Sequence, residues 1–186
     1  LEKLLAGVDE VGRGCLAGPV FAAAVILPDN FRHPLIKDSK KLSAKKREEA
    51  FDIIISNAIS YWIASVSCEE IDAINILQAT YKAMHLAIDN LDVKPHKLLI
   101  DGDRFDGYPG ISHECIIKGD SKEISIAAAS ILAKVTRDEF MSDLSKKFPE
   151  YLWEKNFGYG TADHMKALEE YGLTRWHRKT FCTRFL

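Results

Sequence analysis

What this 186-residue sequence lacks narrows its possible functions. Its four cysteines, Cys15, Cys68, Cys115 and Cys182, lie far apart with no CxxC pair. That spacing argues against a zinc ribbon or a redox motif, and a disulfide framework does not suit a chain this large. Reduced thiols in a cytoplasmic protein are the expectation. The six histidines are also scattered, and none stands four residues from another, so a histidine-based metal site on one helical face is not expected. Long apolar runs are missing too. Val20 to Leu27 falls far short of the roughly 20 residues that span a bilayer, and Leu1 to Val8 carries both charges and is too short for a secretory h-region. No membrane partner is expected. Neither sign of charge dominates: the formal net charge is −2 and the pI about 6.3, so no global positive field advertises nucleic-acid binding. Repeats, low-complexity tracts and linkers are absent, which leaves a single domain over residues 1–186, with a monomer as the default.

What is present fits an ordinary globular protein: 47% hydrophobic and 28% charged residues set aside the disordered and fibrous classes. The cations are unevenly spread. Lys37, Lys40, Lys41, Lys45, Lys46 and Arg47 fall in one short segment, and Arg175, Arg178, Lys179 and Arg184 crowd a C-terminus in which no acid follows Glu170. Such runs read either as a solvated face or as a footprint for phosphates, and local composition leaves both open.

Apolar patterning predicts strands over about Leu4 to Glu10, Val20 to Leu27 before Pro28, Tyr61 to Val66 and Lys97 to Asp101. Cys115 to Ile117 reads as a hairpin or edge neighbour of the last of these. Ser43 is placed to N-cap a helix through about Ser56. Leu77, Tyr81, Met84, Ile88 and Leu91 repeat as a buried helical stripe. A long helix is expected from about Ser121 to Lys147, with Ala127, Ala128 and Ala129 permitting close packing and Pro149 ending it. A last helix covers about Ala162 to Tyr171, stopped by Gly172. This order of elements implies an α/β layered sheet.

Four acids sit where such a sheet would present them. Asp9 and Glu10 end the first strand, Asp101 ends another before Gly102, and Asp120 follows the Ile116–Ile117 segment. In open α/β sheets ligands collect beyond the carboxyl ends of strands, so acids remote in sequence can converge there. Converging carboxylates repel unless a cation neutralises them, and hard oxygen ligands without histidine or thiolate point to Mg²⁺ or Mn²⁺. Two such ions about 3.5–4 Å apart would clamp the attacking and leaving oxygens of a phosphodiester. Plainer readings stand beside this one. Asp120 and Glu123 form the Asp-x-x-Glu spacing of a helix cap, and Asp101-Gly102 is also a turn signal. Asp9-Glu10 is harder to explain away, because two acids ending an apolar strand gain nothing from burial. Asp103 and Asp106 read as loop residues, and Asp138 as an ion-pair partner of Lys134.

The run GVDEVGRG, Gly7 to Gly14, resembles the signature of type 2 ribonucleases H, the ribonuclease HII family. Further matches follow in that family's order: DSKKL at Asp38 to Leu42, LLIDG at Leu98 to Gly102, KGDS at Lys118 to Ser121, ASILAKVTRD at Ala129 to Asp138, GYGT at Gly158 to Thr161 and WHRKTF at Trp176 to Phe181. Together they span nearly the whole chain. The resemblance implies a ribonuclease H-like mixed five-stranded sheet flanked by helices. A C-terminal helical extension over about 149–186 would line the substrate cleft. It implies that Asp9, Glu10, Asp101 and Asp120 are the catalytic, metal-holding acids, with Mn²⁺ or Mg²⁺ as cofactor and two ions in the catalytic complex. It further implies that Gly12, Arg13 and Gly14 contact the 2′-hydroxyl of a ribonucleotide, that Lys40 lies near substrate phosphates, and that Tyr159 packs on the sugar at an RNA–DNA junction. Lys41, Lys45, Arg175 and Arg178 are further candidates for backbone contacts. For Gly12 and Gly14 the alternative is a plain turn; for Tyr159 it is a partly buried core aromatic.

Three positions depart from the family pattern. Cys15 stands where proline is frequent, a change expected to matter little in a loop. Asn156-Phe157 precedes GYGT where many members place a histidine or asparagine and then a lysine, which weakens the case for a phosphate contact there. Ala127 occupies a position that is often serine. The implied activity is an endonuclease that hydrolyses the RNA strand of RNA–DNA hybrids and cuts at single ribonucleotides in duplex DNA, leaving 3′-hydroxyl and 5′-phosphate ends. A type 3 ribonuclease H is the nearest competitor; it usually carries an N-terminal substrate-binding domain, which is not expected before Leu1. A silent hybrid-binding module would retain the basic segments and lose acids, and here all four acids are present.

Overall fold

The computed structural model describes residues 3–36 and 41–186. Lys40, expected near substrate phosphates, lies outside the described residues, as does most of the DSKKL motif. The apolar segments form one five-stranded sheet of order β3-β2-β1-β4-β5. Its strands are β1 Leu5–Val11, β2 Val20–Ile26, β3 Ser60–Val66, β4 Lys97–Asp101 and β5 Ser112–Ile116. β1 runs antiparallel to β2 and parallel to β4, and β4 runs parallel to β5, so the sheet is mixed, as the resemblance implies. The parallel pairing removes the hairpin option for Cys115 and makes β5 an edge strand.

β2 is buried along its whole length because both faces of the sheet are covered. Val20, Ala22, Ala24 and Ile26 join a core with Tyr81, Met84 and Ile88 of the helix α3 (Ile76–Asp89), while Ala23 and Val25 join a second core on the opposite face. That second core holds Ala50 and Ile54 of α1 (Ala44–Asn57) and the Ala127–Ala129 run of α4 (Ile124–Ser145). Ser43 caps α1 by accepting from the Lys46 N–H at 3.4 Å. α4 lies directly on β1. A Cβ on Gly7 would come within 2.1 Å of the Ser125 backbone, so glycine there is required by the close approach.

Several boundaries differ from expectation for identifiable reasons. α4 starts at Ile124 because Gly119–Ser121 forms a separate 3₁₀ turn. Glu123, not Asp120, is the N-cap of α4, and its side chain makes no capping hydrogen bond. A seven-residue helix α2 (Cys68–Ile74) precedes α3, and the break at Asn75 (φ 69°) lets its side chain cap α3 by accepting from the Leu77 and Gln78 N–H groups. Of the stripe predicted on α3, Leu77 is exposed, at the rim of a cavity beside Glu10.

A third apolar cluster ties the C-terminal region to α4. Tyr151, Trp153 of α5 (Trp153–Asn156), Ala167 and Leu168 of α6 (Ala162–Tyr171) and Cys182 pack on Met141 and Leu144 of α4 and on Ala17 of the loop after β1. Gly172 stops α6, where its N–H donates to the Leu168 carbonyl at 3.0 Å. Among the described residues no helix is long and apolar enough to cross a membrane.

Candidate active site

Alternation along β1 decides where its two acids go. Ala6 and Val8 face the α3 core, so Gly7 and Asp9 face α4 and Glu10 turns back toward the α3 side. The parallel register pairs Val8 with Ile100, which sets Asp9 level with Asp101 at the carboxyl ends of two neighbouring strands. Asp9, Glu10 and Asp101 line one cavity of about 280 Å³, together with Val11, Ser130 and Lys134 of α4, and Tyr159. A second cavity on the α3 side is lined by Glu10, Arg13, Asp101, Leu77, Tyr81 and Arg104 among others. Glu10 and Asp101 therefore stand on the ridge between the two.

The electrostatics of this ridge are unfavourable by construction. Burial holds the Asp9 carboxyl well above the usual carboxylate range, the Glu10 and Asp101 charges push it further, and a Ser130 hydrogen bond pulls it back in part. Burial also raises Glu10, with Asp101 adding to the rise and Arg13 opposing it. Arg13 is half-exposed and places Nη1 3.4 Å from Glu10 Oε1. Asp101 Oδ1 accepts the Gly119 N–H at 2.7 Å. Asp120, the next residue, is buried (8% exposed) but does not line the Asp9 cavity. Among the described residues no three His, Cys, Asp or Glu side chains are grouped closely enough to hold a metal ion. The arrangement is three carboxylates bordering a shared cavity rather than a closed coordination shell.

The loop after β1 shows that its glycines differ. Gly12 has φ +91°, and a Cβ there would meet Arg137 Nε at 2.2 Å, so the fold itself demands glycine. At Gly14 a Cβ would meet nothing within 4 Å. Among the described residues nothing fills the space beside that exposed glycine.

Tyr159 is 40% exposed and borders the acid cavity, so it is not a core aromatic. Burial raises its pKa, and the neighbouring Cys15 adds to the rise. Cys15 is fully buried in the loop that follows β1. Asn156 serves the Tyr159 loop: its Nδ2 donates to the Tyr151 carbonyl at 2.7 Å and its Oδ1 accepts the Gly158 N–H at 2.8 Å. Behind Tyr159 lies a buried histidine pair. The Thr174 N–H donates to His177 Nδ1 at 2.9 Å, so the His177 proton is on Nε2 and donates to His164 Nε2 at 3.1 Å. His164 Nδ1 then donates to the Tyr159 carbonyl at 2.9 Å.

The structure also corrects Arg178. It is not a surface cation for phosphates but is fully buried, as is Arg137. Arg178 donates to the carbonyls of Gly12 (2.6 Å), Arg13 (2.8 Å) and Gly18 (2.7 Å). Arg137 donates to Ala17 (3.0 Å), Pro19 (3.1 Å) and Phe157 (2.8 Å). Burial works against the Arg178 charge and lowers its pKa from the ordinary guanidinium value. Sequence reasoning missed these roles, and those of Ser130 and Lys134. Lys134 reaches Asp138 at 2.8 Å, as its spacing predicts, while also bordering the acid cavity.

The sequence profile of the ribonuclease HII family matches residues 6–186. A ribonuclease HII of Cytophaga hutchinsonii is 55% identical over 180 residues, covering 96% of this chain and 89% of the relative. The crystal structure of a ribonuclease H2 from Pyrococcus horikoshii superposes with a TM-score of 0.79 at 27% identity, covering 98% of both chains. An Aquifex aeolicus RNase H3 shares the fold alone, with a TM-score of 0.71 at 16% identity over 97% of this chain and 73% of that one. These matches run through the same strands that carry the paired acids. The chain belongs to the ribonuclease HII family, a family of metal-dependent endoribonucleases.

Proposed function

We propose that this chain hydrolyses the RNA strand of RNA–DNA hybrids and cuts beside single ribonucleotides embedded in duplex DNA, leaving 3′-hydroxyl and 5′-phosphate ends. The observation that carries this reading is the meeting of Asp9, Glu10 and Asp101 at adjacent strand ends, in a cavity shared with Tyr159. The sugar-reading loop continues directly from that β1 end, and the empty space at Gly14 leaves room for a ribose to approach the main chain. The 2′-hydroxyl is the group that separates RNA from DNA at such a point.

The donor set suits hard divalent cations. Buried carboxylates that raise one another's pKa are stabilised by a positive charge, and Mg²⁺ or Mn²⁺ accepts oxygen ligands. Asp9, Glu10 and Asp101 would hold the ions, with Asp120 as the fourth acid through its place beside Gly119, which is tied to Asp101. Ions held there would supply charge stabilisation to phosphodiester hydrolysis. The protein's own part is to hold the carboxylates, present loop donors to the ribose, and set Tyr159 against the sugar on the 3′ side. Residues 1–186 act as one catalytic unit, with 149–186 bordering the cleft, and the protein works as a monomer in the cytoplasm. Exposed Lys41, Lys45 and Arg175 are suited to phosphates, which position the duplex without choosing the cut.

The deciding experiment uses a duplex with one ribonucleotide, incubated with and without Mg²⁺ or Mn²⁺. Cleavage at that residue only when the ion is present is expected; cleavage without divalent ions, or none with them, contradicts the reading. A Tyr159→Ala chain should lose more activity at the lone ribonucleotide than along an all-RNA strand. Equal losses would remove Tyr159 from junction sensing.

A further inference from the structure

The loop from Gly12 to Pro19 directs its carbonyls inward. Arg178 takes those of Gly12, Arg13 and Gly18 through its guanidinium, and that of Leu16 through its own N–H at 2.8 Å. Arg137 takes those of Ala17 and Pro19. Neither guanidinium hydrogen-bonds a carboxylate among the described residues; carbonyl dipoles hold both.

A trans peptide is planar, and the C=O of one residue points opposite to the N–H of the next. All described peptide bonds are trans. Drawing the Gly12 and Arg13 carbonyls onto buried Arg178 therefore turns the N–H groups of Arg13 and Gly14 the other way, to the exposed side of the loop. Neither of those N–H groups donates to a protein acceptor among the described residues. Two free, adjacent backbone donors thus face outward beside the acid ridge, at the one glycine of this loop with open space over it among the described residues.

We propose that Arg178 is a specificity-determining positioning residue: its fork on the Gly12 and Arg13 carbonyls aims the Arg13 and Gly14 N–H pair at the ribose 2′-hydroxyl. The proposal rests on the ribonucleotide-cutting function above. Arg178 touches no substrate and acts through the loop. Lysine keeps the charge but lacks the rigid fork that grips two successive carbonyls at once. Arg137 is the internal control, because it is equally buried yet holds neither of those two carbonyls.

The test measures affinities of the full chain, in EDTA, for two duplexes that differ by one 2′-hydroxyl. The wild-type chain prefers the ribonucleotide duplex. In R178K that preference falls about tenfold, the scale of one or two lost hydrogen bonds, while affinity for the all-DNA duplex stays within about twofold. R137K loses thermal stability and keeps the preference. A ratio of affinities does not depend on the fraction of folded protein, so loss of stability alone does not imitate the result. An unchanged preference in R178K, or equal loss in R178K and R137K, overturns the proposal. If R178K does not fold, amide exchange on the wild-type chain decides: Arg13 and Gly14 N–H should be slowed by the ribonucleotide duplex and not by its all-DNA counterpart, and equal slowing overturns it. Wild-type cleavage with Mg²⁺ is assayed alongside. Its absence would remove the function itself, whereas its presence confines any failure to Arg178.

Discussion

Gly12 and Gly14 stand as a matched pair in GRG, yet they answer to different demands. The first is fixed by backbone conformation and by Arg137, and the second by nothing among the described residues. Gly12→Ala should therefore cost about 1–3 kcal/mol of stability through a strained positive φ. Gly14→Ala should leave stability within about 0.5 kcal/mol while lowering cleavage by roughly 10- to 100-fold through a misplaced sugar. Thermal melts and single-turnover cleavage check both, and a Gly14→Ala chain with full activity would contradict ribose approach at that point. Asp101→Asn tests the acids. The amide keeps the oxygen that accepts the Gly119 N–H but removes a charge that raises both Asp9 and Glu10. Cleavage should fall at least about a hundredfold, duplex binding should persist, and the metal-free chain should melt about 2–4 °C higher for each kcal/mol of relieved repulsion. A lower melting point would contradict the repulsion. The candidate acids were legible in the sequence because an acid ending an apolar strand is conspicuous. Arg178 was not, because its burial depends on carbonyls some 160 positions away, and a C-terminal charge run carries no trace of them.

At the level of elements, the strands, α1 and α6 were legible because each has a clear period or cap. α2 and α5, of seven and four residues, are too short for a period to show. The partner of β5 was predictable but its direction was not, since strand orientation depends on the crossover between β4 and β5. The histidine pair bridging α6 and the C-terminal segment was also invisible, although it sets a pH dependence. Burial, and then the neighbouring His164, lower His177 to about 3, against about 6.5 in an unfolded chain. Between those values the unfolded chain binds more protons, so this contribution to stability is present above about pH 6.5 and is lost as pH falls toward about 3. Trp153 donates to His164 at 3.1 Å, and its fluorescence should report loosening of this region on acidification. A His177→Phe chain should lose less stability over the same window; an identical acid profile would contradict the assignment.

For the whole molecule, the cost of crowding acids on one ridge predicts that divalent ions stabilise the fold as well as serving the chemistry. At about a hundred times its dissociation constant, an ion bound only by the folded chain adds about 2.7 kcal/mol. The wild-type melting temperature should rise on adding Mg²⁺ or Mn²⁺, and the rise should shrink in Asp101→Asn. Equal shifts in both chains would place the ion elsewhere.

The grip of a residue near one end of the chain on a loop near the other has a consequence for synthesis. A nascent or truncated product that stops short of position 178 already contains Asp9, Glu10, Asp101 and Asp120, but not the guanidinium that takes the Gly12 and Arg13 carbonyls. Such a fragment carries the acids without the guanidinium that organises the loop, and under the role proposed for Arg178 it would tell one sugar from another only once translation has passed position 178.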